Sequence, residues 1–131
     1  MASKDLASRV KHVQSLAPAA RTASADGTGV DTLNYDGVMV VVNAGLWTDG
    51  THTIDIQESE DGTTYSSVAA GNLQGTKPVI DGATDDNQDY EVGYIGNCRY
   101  VRVDVDVTAS PTTGAVIGAS IMLGHAKQLP A

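Results

Sequence analysis

Hydrophobic and polar residues alternate with a period of two along the two clearest segments of this chain. These are Thr53-Ile54-Asp55-Ile56-Gln57-Glu58 and Tyr100-Val101-Arg102-Val103-Asp104-Val105-Asp106-Val107. Successive side chains of a strand point to opposite faces, so Val101, Val103, Val105 and Val107 share one face and Tyr100, Arg102, Asp104 and Asp106 the other. One face belongs to a core and the other to water or a partner. Val38-Met39-Val40-Val41-Val42 is apolar on both faces, which predicts a strand covered twice, the second cover being a subunit interface. Turn signals at Asp49-Gly50, Asp61-Gly62, Gly71-Asn72, Asp81-Gly82, Gly96-Asn97 and residues 111–114 cut the chain into strand-length pieces. With residues 65–69, 90–95 and 115–123 these make about seven or eight strands, the spacing of an all-β sandwich or barrel.

The amino-terminal pattern differs. Leu6, Val10, Val13 and Ala17 recur at helical spacing, Ser3 or Asp5 can cap the start, and Pro18 ends the run. A helix this short is marginal alone and orders only against the body or a partner. Residues 21–25 are expected to form an edge strand, residues 77–89 a polar, acidic surface loop, and residues from 124 onward an exposed tail. The chain thus divides into an arm over residues 1–20 and a sandwich over residues 21–131.

Length and composition fit one domain: 131 residues can bury a core, but with no Phe, one Trp and five Tyr the packing falls to Val, Ile, Leu and Ala. Cys98 is the single cysteine, so no internal disulfide forms, and a reducing compartment during assembly is the simpler reading. No apolar run approaches a membrane span, and the amino terminus lacks the apolar stretch of a secretory signal. The net charge of −8 is unevenly placed. Lys4, Arg9, Lys11 and Arg21 face only Asp5 in the first 25 residues, while the remainder is strongly acidic. An acidic body argues against nucleic acid, which demands clustered Lys and Arg. The basic arm suits an acidic protein surface.

Candidate chemistry is sparse. Asp85, Asn87 and Asp89 match the first three ligand positions of an EF-hand loop, but Tyr90 stands where the loop needs Gly and Gly96 where it needs a bidentate Glu. His12, His52 and His125 are too scattered for a zinc site. His52 lies between Asp49 and Asp55, an arrangement that suits an acid–base pair but more often marks exposed hairpin positions. Arg99 beside Cys98 would lower the thiol pKa, yet no base accompanies it. No Gly-x-Ser-x-Gly elbow and no phosphate-binding loop occurs. The chain is therefore expected not to be an enzyme and to need no cofactor and no metal. Trp47 and the tyrosines would suit a sugar platform, but Trp47 at a strand end is the better plug for the sandwich or anchor for a subunit contact.

Several segments in order resemble small virion structural proteins of tailed bacteriophages: Ser15-Leu16-Ala17-Pro18, Val40-Val41-Val42-Asn43-Ala44-Gly45, Thr48-Asp49-Gly50-Thr51-His52, Gln57-Glu58-Ser59-Glu60-Asp61-Gly62, Val68-Ala69-Ala70, Tyr94-Ile95-Gly96, Arg99-Tyr100-Val101-Arg102-Val103 and Gly124-His125-Ala126. The likeness covers most of the chain from about residue 15 onward. The Glu60-Asp61-Gly62-x-x-Tyr65 and Arg99-Tyr100-Val101-Arg102-Val103 pieces also look like strands of discoidin-type sandwiches, which implies a jelly-roll-like antiparallel β-sandwich with a short amino-terminal arm or helix. Within the phage class the resemblance implies a capsid decoration or cement protein. Such a protein sits as a homotrimer on the outer capsid surface of the virion, binds the major capsid protein, and is assembled in the host cytoplasm without nucleic acid or membrane. Lys4, Arg9, Lys11 and Arg21 are then the expected capsid contacts, as an added edge strand or a helix in a groove. Val38, Val40, Val42, Trp47, Ile117, Ile121 and Leu123 are the expected core or oligomer interface, the two not being separable at this level. A head–tail connector, a tail protein and a virion carbohydrate-binding module are the alternatives.

Overall fold

The computed structural model describes residues 4–128. Its strands are β1 (Lys11–Arg21), β2 (Ala25–Asp26), β3 (Val30–Asp31), β4 (Tyr35–Trp47), β5 (Thr51–Ser59), β6 (Ser66–Ser67), β7 (Leu73–Gln74), β8 (Val79–Ile80), β9 (Asp89–Tyr94), β10 (Tyr100–Thr108) and β11 (Ala115–Ala126). Two single 3-10 turns, Ala70–Asn72 and Ala83–Asp85, interrupt them, and no α-helix occurs among the described residues. Every turn signal read from the sequence falls between strands. At Asp61-Gly62, Gly62 adopts φ +77, a conformation that disfavours a side chain, while Asp61 accepts the backbone N–H groups of Thr63 and Thr64.

The chain is all-β, two antiparallel sheets packed as a sandwich. Sheet A has the order β1-β11-β4-β9-β7 and sheet B the order β2-β10-β5-β6, with β3 also on β10 and β8 also on β5. The pairings nest: β1 with β11, β2 and β3 with β10, β4 with β9, and β5 with β6 and β8. A folded-over double hairpin of this kind is the jelly-roll arrangement, and it matches the expected topology.

The two alternating segments pair directly, from Tyr100↔Ser59 to Thr108↔Thr51. Their inward positions Ile54, Ile56, Val101, Val103 and Val105 meet Val40, Val42, Val92, Ile117, Ile121 and Leu123 of sheet A in one buried cluster. With no Phe available, β-branched residues fill the space between the sheets, where their restricted rotamers suit a pleated surface.

The amino-terminal reading needs correcting. Residues 11–21 form a strand rather than part of a helix, because pairing with β11 satisfies backbone groups that a short isolated helix would hold only marginally. The helical spacing was coincidental. Of its apolar positions Val13 packs against the core, while Leu6 and Ala17 are exposed. Residues 22–24 bend between β1 and β2 instead of forming one edge strand, residues 77–89 contain β8 and a 3-10 turn, and β11 continues to Ala126.

Ser15 joins the two sheets. Its buried hydroxyl donates to the Thr28 carbonyl at 2.8 Å and accepts the Val103 N–H at 3.0 Å, while its own carbonyl accepts the Thr28 N–H at 2.6 Å. Register shifts on either side of Leu16 let both Ser15 and Leu16 turn inward.

The outer face of sheet B is polar and internally compensated. Asp104 is 7% exposed and stands opposite Asp26 on one side and Asp55 on the other. Burial pushes its carboxyl up to about 6, opposed by the Gly27 N–H and by Arg102, and assisted by Asp26. Arg102 lies 3.3 Å from Asp104, donates twice to the Gln57 side-chain oxygen and sits 4.1 Å above the Tyr65 ring. Lys77 pairs with Asp55 at 2.6 Å.

Two outcomes are expected. Ser15→Ala removes a donor and an acceptor from buried backbone partners and lowers stability by about 1–3 kcal/mol; a denaturation midpoint equal to that of the wild type would refute the clamp. A raised carboxyl pKa favours the folded state below the ordinary value of 3.8, and that contribution is lost as pH rises through about 6. Asp104→Asn has no such proton to lose, so its melting temperature relative to wild type should climb between pH 4 and pH 7.5. A difference that stays flat across that range would show that Asp104 does not titrate there.

Candidate binding surface

Strand alternation gives sheet A an outer face as well as a core. On β11 the inward series is Ala115, Ile117, Ala119, Ile121 and Leu123, and the outward series is Val116, Gly118, Ser120, Met122 and Gly124. Opposite them on β4, Gly37, Met39, Val41 and Asn43 point outward. The sequence reading expected this β4 segment to be covered twice. Val40 and Val42 are fully buried, whereas Met39 and Val41 are half-buried on a face that no further sheet covers among the described residues.

At one end of this face lies a shallow apolar groove of about 310 Å³, floored by Gly37 and Gly124 and walled by Leu6, Val10, Met39 and Met122, with the His125 ring lying over Gly37. A turn accepting at the Leu6 carbonyl from the Arg9 and Val10 N–H groups places Leu6 and Val10 on the groove. Asp5 caps this turn through Ser8, which holds its carboxyl below the usual range. At the other end a bulge sets Gly45 and Leu46 opposite Val116. Ala44 and Trp47 on either side pack inward, so Leu46 projects outward, 61% exposed, beside Val116 at 40%.

The expected site residues separate into groups. Val40, Val42, Ile117, Ile121 and Leu123 are core; Val38 and Trp47 pack against that core part-buried. Trp47 also donates its indole N–H to the Gly50 carbonyl, which makes it a plug at a strand end. Lys4, Arg9 and Lys11 are exposed and have no ion-pair partner among the described residues, while Arg21 is half-buried and donates to the Ala17 carbonyl. β1 is the edge of sheet A, and its second side has no strand partner among the described residues.

The chemistry weighed from sequence disperses. His52 is buried rather than exposed, its ring nitrogens facing the Arg21 carbonyl at 2.8 Å and the Ile80 carbonyl at 3.3 Å. Asp49 instead caps the N–H groups of Thr112, Thr113 and Gly114, which hold its carboxyl low, and Asp55 is engaged by Lys77, Ser67 and Gln57. Arg99 forks onto Asp31 and not onto Cys98; burial and then Glu58 push the Cys98 thiol up, opposite to the activation expected from its neighbour. Three of the 81–89 carboxylates are engaged internally: Asp85 accepts from the Tyr90 hydroxyl and the Asp81 N–H, Asp86 from the Trp47 N–H, and Asp89 from Asn43. Among the described residues no three His, Cys, Asp or Glu side chains are grouped to hold a metal ion. A polar cleft of about 520 Å³ at the end of the sandwich is lined by Asn34, Asp36, Tyr94, Asn97, Cys98, Arg99 and Lys127 among others, with Arg99 already engaged by Asp31.

Sequence reasoning missed the groove and its facing apolar ridge. The signal was present in the out-of-phase series Gly37, Met39, Val41 and Gly118, Ser120, Met122, which becomes a surface only when β4 and β11 are known to be neighbours.

No protein-family model matches the chain, and no curated protein sequence matches it. Among solved structures, the SPBc2 prophage-derived protein YomS superposes with a TM-score of 0.54 at 16% identity, covering 88% of this chain and 93% of that one. PirA aligns with a TM-score of 0.37 at 14% identity over 95% of this chain and 99% of that one, a likeness that carries no argument. At 16% identity what this chain shares with the prophage-derived protein is its fold.

Proposed function

We propose that this protein is a phage virion structural protein of the capsid decoration type, which binds the outer surface of the head and ties neighbouring major capsid protein subunits together. The observation that carries the reading is the edge of β1 that has no strand partner among the described residues, bounded by Lys11 and Arg21, on an otherwise acidic body. An open strand edge offers backbone N–H and C=O groups to an added strand, and cations beside it favour an acidic partner surface. The resemblance of the sequence to tailed-phage virion proteins and the shared fold with a prophage-derived protein support the same reading. Many copies making modest contacts stabilise a shell collectively, because each bound copy keeps its neighbours at high effective concentration.

This reading does not require a separable arm. Removing residues 1–20 would take away most of β1, with the Ser15 clamp and buried Leu16, so truncation tests folding rather than binding.

The direct test is co-sedimentation of the purified protein with expanded heads that lack it. Saturation at hundreds of copies per particle is expected; a dozen or fewer would relocate the protein to the portal vertex or tail, and no binding would overturn the proposal. Lys11→Glu, an exposed change at the open edge, should weaken binding by up to about tenfold, the scale of one partly exposed charge contact. Unaltered binding by this variant would remove the β1 edge from the contact.

A further inference from the structure

The outer face of sheet A carries a groove and a ridge of matching chemistry and opposite charge, both opening in the same direction. The groove end, floored by Gly37 and Gly124 and walled by Leu6, Val10, Met39 and Met122, carries exposed Lys4 and Arg9, against Asp5, on the same short segment that supplies Leu6 and Val10. The ridge end, Leu46 and Val116, is attended by Asp86 and exposed Asp89 through their bonds to Trp47 N–H and Asn43. Between them lie Val41, Asn43, Gly118 and Ser120, and a side chain at Gly118 would already meet Pro18. The middle of the face is therefore floored by small residues and flanked by His12, Gln14 and Pro18 of β1 on one side and by Glu91 of β9 on the other.

We infer that this face is a self-complementary interface whose occupant is a second copy of the same chain. A two-fold axis lying in the face and running across the strands sets β4 over β4 in reversed direction. Leu46 of each copy then lies over the glycine-floored groove of the other, and each anionic end lies over a cationic end. Charge complementarity selects this axis: a two-fold parallel to the strands would stack basic end on basic end. Because groove and ridge open the same way, each contact requires opposed faces, and two copies use both sets at once. This closure differs from the threefold assembly that the sequence resemblance implies.

The size of the face sets the expected strength. Four strands about 4.8 Å apart and ten residues at about 3.3 Å per residue give roughly 600 Å² per copy. That is at the lower edge of specific interfaces, so the dimer should be reversible and depend on concentration. The inference does not depend on shell binding, and its test contains no capsid.

The experiment is sedimentation equilibrium of the full chain from about 1 µM to 1 mM, alongside Leu46→Glu and Arg9→Glu. The expected result is a mass rising from 13.5 kDa to twice that value, with the dimer weakened at least tenfold by Leu46→Glu and less by Arg9→Glu. Leu46 and Arg9 are exposed in the single chain, so both variants should keep the wild-type melting temperature. A monomer throughout, a trimer, or a Leu46→Glu variant that associates like the wild type would overturn the inference.

Discussion

The position of β11 between β1 and β4 is the constraint on which the rest of the molecule depends. Its inward residues supply Ile117, Ile121 and Leu123 to the core, while its outward residues are small enough to leave the opposite face of the sheet low. Because side chains alternate strictly, a shift of register by one residue would exchange these series and place Gly118, Ser120 and Gly124 in the core. The same pairing that buries the isoleucines therefore also creates the groove.

The Ser15 clamp then determines how β1 can behave. An edge strand held only by ladder bonds would fray, but Ser15 ties its middle to Thr28 and Val103 on the opposite sheet. β1 is thus firmly part of the sandwich even though one of its sides lacks a strand partner among the described residues. An edge held in this way would pay less ordering entropy on pairing with another strand.

What could be read from the sequence was what period two and turn chemistry control locally. The valine series of β10, the Ile54 and Ile56 positions of β5 and the turns at Asp49-Gly50 and Asp61-Gly62 were all legible because each is set within a few residues. The fate of residues 11–21 was not, since their strand state comes from a partner about a hundred residues away in β11, and local spacing of Leu6, Val10 and Val13 suggested a helix. His52 misled for a similar reason. It sits in a polar stretch beside a turn, but β8 and the end of β1 close over it. The groove required two strands to be aligned and one preceding turn to fold across them.

The two outer faces divide their charges unequally, and that difference sets what each face could offer a partner. On sheet B, Arg102 and Lys77 are committed to Asp104, Gln57 and Asp55, and on the loop beside it Arg99 is committed to Asp31. Separating these groups to accept a partner would cost their existing contacts. On sheet A, Lys4, Arg9 and Lys11 have no such pairs among the described residues, Leu6 stays exposed beside half-buried Met39 and Met122, and Leu46 and Val116 stay exposed at the other end. A partner there would gain apolar burial and charge pairing while displacing little that the fold already uses.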